Sequence, residues 1–224
     1  MSWDCSIYCH RSIEKEKVPG NLNTDQSICP GTGLITMPSI TEYEIVGYTE
    51  NNNEPIIDST EKCLCTKCMK GVLECRSHVR RHIRKEDSGE KIWYWIPLGK
   101  CDNRNCGSMC RLLPDFMVPY KHYEAEAVSD VLDEVITEES PVDCPSIQTM
   151  RLWKAWLYFN KARIEGLFRG IGYRVLGFSE ELMFDTGCLL DQLRRNADHW
   201  LKITIRFVYN SGYRLLPLHG ASHM

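Results

Sequence analysis

The sequence predicts an α+β fold, in which a small β module is followed by a helix-turn-helix and a helical C-terminal region. Three observations predict it. Two cysteine-rich turns stand about thirty residues apart, Cys65-x-x-Cys68 and Cys101-x4-Cys106. A β-prone, basic insert lies between them, and apolar residues recur at helical spacing after Pro119.

Composition narrows the classes. The chain has 224 residues, 43% of them hydrophobic and 25% charged, which is globular usage and argues against disorder. No apolar run reaches transmembrane length, and the start Met1-Ser2-Trp3-Asp4-Cys5 lacks a basic stretch followed by an apolar one. No membrane partner is therefore expected, and a reducing cytoplasm is. In that compartment twelve cysteines are better explained as metal ligands than as disulfides, with Cys29, Cys144 and Cys188 as small buried hydrophobes.

Structural zinc takes four thiolate or imidazole ligands in a tetrahedron, and a Cys-x-x-Cys turn supplies two of them from one tight knuckle. Cys65 and Cys68 have that spacing. Cys101 and Cys106 form a looser second knuckle, so residues 61–123 read as a zinc ribbon holding a structural Zn2+. Cys110 and then Cys63 stand in reserve as ligands, and Cys75 lies close by. Cys5, Cys9 and His10 offer three further donors near the start of the chain.

Charge is distributed unevenly. Net charge is -6 over residues 1–60, +6 over 61–123, -8 over 124–145 and +5 over 146–224. Residues 1–60 read as an acidic, loop-rich arm with one or two short strands within 40–48. Between the knuckles, residues 76–85 hold five Arg/Lys and two His, and residues 91–97 read as a strand paired with them through Asp87-Ser88-Gly89. Arg76, Arg80, Arg81, Arg84 and Lys85 are candidates for phosphate contact with double-stranded DNA. A solvated strand face is the plainer explanation of the same run.

Residues 124–136 carry Ala127, Val128, Val131, Leu132, Val135 and Ile136 at helical spacing, with acids on the other face. After a break, Ser146 occupies an N-cap position before a second helix. Residues 124–159 thus read as a helix-turn-helix, whose second helix presents its N-terminal side chains to bases. Ile147, Met150, Trp153 and Leu157 form the expected apolar stripe. Gln148, Thr149, Arg151 and Lys154 are left as DNA-binding candidates, Gln and Arg being able to contact adenine and guanine bidentately. Helical runs are expected within residues 160–213, followed by a flexible tail at 214–224.

The run Cys106-Gly-Ser-Met-Cys110-Arg-Leu-Leu-Pro-Asp-Phe116 through Tyr123, with the capped segment from Pro145 to Trp153, resembles a bacterial family of mobile-element proteins. These are transposase-associated zinc-ribbon, helix-turn-helix proteins, known mainly as a domain of unknown function. The resemblance covers about residues 62–157 and rests chiefly on Leu113-Pro114-Asp115-Phe116. In the family a histidine often stands where this chain has Cys110, and the second pair is commonly Cys-x-x-Cys, which leaves Cys106 and Cys110 competing for the fourth ligand position. The resemblance implies DNA binding for an insertion element and no specific reaction. The expected function is a non-catalytic, zinc-containing DNA-binding protein, accessory or regulatory to transposition. The alternative is a zinc-stabilised interaction module for a transposase or recombinase subunit. A catalytic transposase or nuclease needs carboxylates converging on metal ions from a core sheet, and the acids here lie mostly on a helix and in the arm.

Overall fold

β-branched and aromatic residues between turn formers build six strands: β1 (Ser39–Thr41), β2 (Tyr43–Tyr48), β3 (Pro55–Ser59), β4 (Leu73–Arg84), β5 (Lys91–Cys101) and β6 (Met109–Pro114). They were located in a computed structural model that describes residues 37–85, 88–140, 145–179 and 187–216. The described residues all belong to one unit.

The strands form a curled sheet in the order β1-β6-β5-β3-β2, with β4 on the other edge of β5. β4 and β5 are the expected antiparallel pair, in register from Leu73 opposite Cys101 to Arg84 opposite Lys91. Of the connection between them, Asp87 lies outside the described residues, and Gly89 has φ +65°, a conformation glycine adopts without steric cost. The other edge of β5 is shared: Trp95 meets Ile56 of β3 in parallel, and Leu98 to Lys100 meet β6 antiparallel. Pro97, which has no N–H to donate, falls between these two contacts. Residues 39–59, read from sequence as part of a loop-rich arm, thus supply three strands of the same sheet.

Among the described residues there are five α-helices: α1 (Ala125–Leu132), α2 (Ile147–Leu167), α3 (Tyr173–Leu176), α4 (Leu189–Asn196) and α5 (Trp200–Asn210). Ser146 caps α2 as expected, accepting from Thr149 N. α2 does not end near residue 157 but runs on to a π-helical turn at Phe168–Gly172. Helices cover one face of the sheet, where Ile40, Ile83, Ile96 and Leu113 join Val128, Val131, Trp153, Trp156, Leu189, Ile205 and Val208 in the main core. Period-two alternation on β4 sends Val79 and Ile83 to this core and leaves Arg80 exposed on the opposite face. Ile147 is 46% exposed and stands outside the stripe expected for α2; its place is taken by Trp156 and Ile164.

Two asparagines close the fold. Asn210 at the end of α5 brackets β1, donating to Ile40 O and accepting from Ile40 N, both at 2.8 Å. Its amide thereby satisfies a strand residue with 0% exposure. Asn160 of α2, itself fully buried, accepts from Leu216 N and donates to Leu216 O and Trp156 O. With Leu215 also buried, residues 214–216 are held against the body of the protein and do not belong to a flexible tail; residues 217–224 lie outside the described residues.

Asn210→Ala would leave both backbone groups of Ile40 without their side-chain partner. The expected cost is about 2 kcal/mol of folding free energy, measured as a lower midpoint with unchanged slope in urea denaturation.

Candidate metal centre

The two knuckles are brought together by the ends of the β4–β5 pair. Leu73, at the start of β4, donates from its N–H to Cys63 O at 2.8 Å and stands opposite Cys101, at the end of β5. Asp102 ties the loops more tightly: its N–H donates to Val72 O at 3.0 Å, and its carboxylate accepts from Val72 N at 2.8 Å. Each knuckle turns back through a left-handed residue directly after its second cysteine, Met69 at φ +53° and Gly107 at φ +54°. Met69 N bonds to Cys65 O at 2.8 Å and Gly107 N to Asn103 O at 3.1 Å.

As a result the sulfurs of Cys65, Cys68, Cys101 and Cys106 all lie within 4.8 Å of one another. Cys65 and Cys106 are 3.8 Å apart, and Cys68 and Cys101 are 3.7 Å apart. A tetrahedron with metal–sulfur bonds of about 2.3 Å has edges of about 3.8 Å, so the cluster fits a four-coordinate ion with little adjustment. The surroundings suit thiolates. Ser108 Oγ lies 3.1 Å from Cys65 Sγ and 3.2 Å from Cys106 Sγ, and Gly71 N donates to Cys68 Sγ at 3.4 Å. Bonds from the backbone at Gly71 and Lys70 hold the Cys68 thiol well below its ordinary range, and the Ser108 hydroxyl and backbone lower Cys106. Burial pushes Cys101 the other way.

Of the two competitors for the fourth position, Cys106 is in the group of four sulfurs and Cys110, on β6, is not. Cys110 is 1% exposed and packs with Cys63, Leu73 and Leu112; its thiol donates to Met37 O at 2.9 Å, away from the cluster. Cys63 is also outside it, with Sγ 3.8 Å from Ser59 Oγ. Cys188 lies beside α2, donating to Glu165 Oε2 at 3.3 Å. Cys5, Cys9, His10, Cys29 and Cys144 fall outside the described residues. Gly71 carries a role that the cysteine spacing did not reveal: a Cβ there would lie 2.5 Å from Cys101 Sγ and 2.6 Å from Asp102 Oδ1. Only glycine lets the two loops approach so closely.

The basic candidates are dispersed. On β4, Arg80 forks onto Glu54 and lies 3.9 Å over the Trp93 ring, while Trp95 Nε1 donates to the same Glu54 at 2.9 Å. These bonds, Arg80 foremost, hold the Glu54 carboxyl below its usual range. Beside them His82 stacks on His122 at 4.4 Å, and Arg84 donates to Gly89 O. Arg81 points to the opposite face, where it donates to Val118 O and Lys121 O at 3.0 and 2.8 Å, and burial lowers its pKa to about 10. Arg76 and Lys85 pair with Glu74 and Glu90 at the surface. On α2, Gln148 is exposed, Thr149 serves the Ser146 cap, Arg151 forks onto Glu138, and Lys154 reaches Glu134 at 3.3 Å.

Because thiols must lose protons to bind a metal, occupancy is expected to fall as pH drops and the thiolates are protonated. Cys101→Ser and Gly71→Val should each lose the ion held by this cluster through gel filtration, whereas Cys110→Ser should keep it; atomic emission on the eluted protein reads the difference as one metal ion fewer per chain.

A DUF6431 domain, described as a domain of unknown function, is found at residues 65–153. No curated protein and no solved structure matches the chain. Among the described residues no helix is long and apolar enough to cross a membrane. The domain match begins on the first cysteine of the cluster, takes in both knuckles and the β4–β5 pair, and ends at Trp153 on α2.

Proposed function

We propose that the chain is a non-catalytic, zinc-containing DNA-binding protein that acts as an accessory or regulatory component of a bacterial mobile element. Zinc is the metal that best suits four thiolates at tetrahedral spacing, and such a site is structural because it leaves no coordination position open. The observation that carries DNA binding is the outer face of the β4–β5 pair, where Arg80, His82 and Arg84 alternate out beside Trp93, Trp95 and His122. Guanidinium groups supply phosphate contacts, and neighbouring rings supply flat apolar surface for sugar or base.

Base reading is assigned to the start of α2. Gln148 is exposed there, and the Arg151 guanidinium would exchange Glu138 for a base edge. The two regions are linked through residues 122–123: Arg84 N donates to His122 O at 2.6 Å, and the Tyr123 ring lies 5.0 Å edge-on to Trp153 of α2. Four of the five carboxylates in residues 126–138, all but Asp130, are engaged in ion pairs: Glu126 to Lys202, Asp133 to Arg194, Glu134 to Lys154 and Glu138 to Arg151. That arrangement supports a binding role over phosphoryl transfer, which needs acids free to hold ions.

A second reading, an interaction module for a transposase or recombinase subunit, is favoured by Tyr158 and Phe159 on α2, exposed at 76% and 64%. Fluorescence anisotropy with duplex DNA across a salt series separates the two. For a DNA binder, affinity falls steeply with salt, Arg84→Ala lowers the log–log slope by about one, and Gln148→Ala weakens the preferred sequence about fivefold or more. Zinc-loaded protein with no salt-dependent affinity for duplex DNA would sink the proposal, and loss of partner binding in Phe159→Ala alone would favour the second reading.

A further inference from the structure

Three donors outside the tetrathiolate cluster also converge. One ligand atom each from Asp58 of β3 and from Cys75 and His78 of β4 lie within 4.8 Å of one another. In a regular strand residues three apart point to opposite faces, so Cys75 and His78 should diverge. They do not, because the pairing with β5 slips between Cys75, opposite Gly99, and Ser77, opposite Leu98. The extra residue, Arg76, restores both side chains to one face, the re-aiming that a bulge produces. β5 runs between the two contributing strands and presents Pro97 opposite His78 and Gly99 opposite Cys75. Little side-chain bulk therefore separates Asp58 from its two partners across the curled sheet.

The bonding within the group is incomplete. His78 Nε2 is buried from solvent and has no hydrogen-bond partner, a costly state for an imidazole nitrogen. The Cys75 thiol makes a long contact to Ser77 O at 3.6 Å, and one oxygen of Asp58 accepts from Ser59 N at 2.9 Å. A cation bound by the other oxygen, the thiolate and the imidazole would satisfy the orphaned nitrogen.

We infer that Asp58, Cys75 and His78 form a second metal site, separate from the four-cysteine cluster, that takes zinc or a similar borderline divalent cation. Thiolate and imidazole donors select such ions over magnesium and calcium, which require oxygen. Three protein ligands of mixed chemistry leave a fourth position for water or an exchangeable group, unlike the closed site of four sulfurs. The inference does not depend on DNA binding.

The test is metal content of the full-length protein after zinc loading and dialysis, comparing wild type with Cys75→Ser, with Asp58→Asn and with Cys110→Ser as control. Cys75→Ser and Asp58→Asn are expected to retain one zinc fewer per chain, and Cys110→Ser the same amount as wild type. Cobalt substitution distinguishes the sites: the intense sulfur-to-cobalt absorption of the tetrathiolate should persist in Cys75→Ser, while a weaker band from the mixed site disappears. Unchanged zinc content in both variants overturns the proposal. Loss of the tetrathiolate band in both overturns it as well, since these residues would then be supports of the first site.

Discussion

Strand β5 is the constraint on which the other elements depend, because three strands pair with it, on both of its edges. β4 occupies one edge in full, and β3 and β6 divide the other. A strand so placed cannot slip by one residue without exchanging its two faces. One face carries Ile92, Tyr94 and Ile96 toward the helices, and the other carries Trp93 and Trp95 beside Arg80 and Glu54. The same strand ends on Cys101, so its register also sets the height of the second knuckle against the first.

The cysteine cluster is a consequence of that register as much as of the knuckles. Leu73 opposite Cys101 brings the loop after β3 to the loop after β5, and the Gly71 approach and the Asp102–Val72 bonds complete the contact. Within the group burial raises the Cys101 thiol, while backbone amides lower that of Cys68. A divalent ion bound there would link the sheet to the loops, beside the small second core of Cys63, Cys65, Leu73, Cys101, Cys110 and Leu112.

Charge shows how far a linear count can mislead. Four acids of residues 124–140 pair with basic residues after 146: Asp133 with Arg194, Glu126 with Lys202, Glu138 with Arg151 and Glu134 with Lys154. Arg206 likewise pairs with Glu42 and Glu61. Most of these pairs are partly exposed and contribute little each. Arg151 and Lys154 remain largely exposed within their pairs.

By itself the sequence determined what depends on near neighbours: the Cys-x-x-Cys turn, the β4–β5 pair, the Ser146 cap, the apolar spacing of α1 and the helical runs within residues 160–213, since each is encoded within a turn or two of chain. Cys65, Cys68, Cys101 and Cys106 were legible for that reason, though not their separation from Cys110. Only the tertiary structure decided that question, because the parity of β6 and its parallel pairing with β1 turn Cys110 toward Met37. It likewise decided that Arg81 faces inward while Arg80 faces out, that Asn210 completes a strand some 170 residues earlier, and that a one-residue slip in β4 sets Cys75 beside His78. These are matters of register and long-range pairing, and a side chain's face depends on what lies across from it in space.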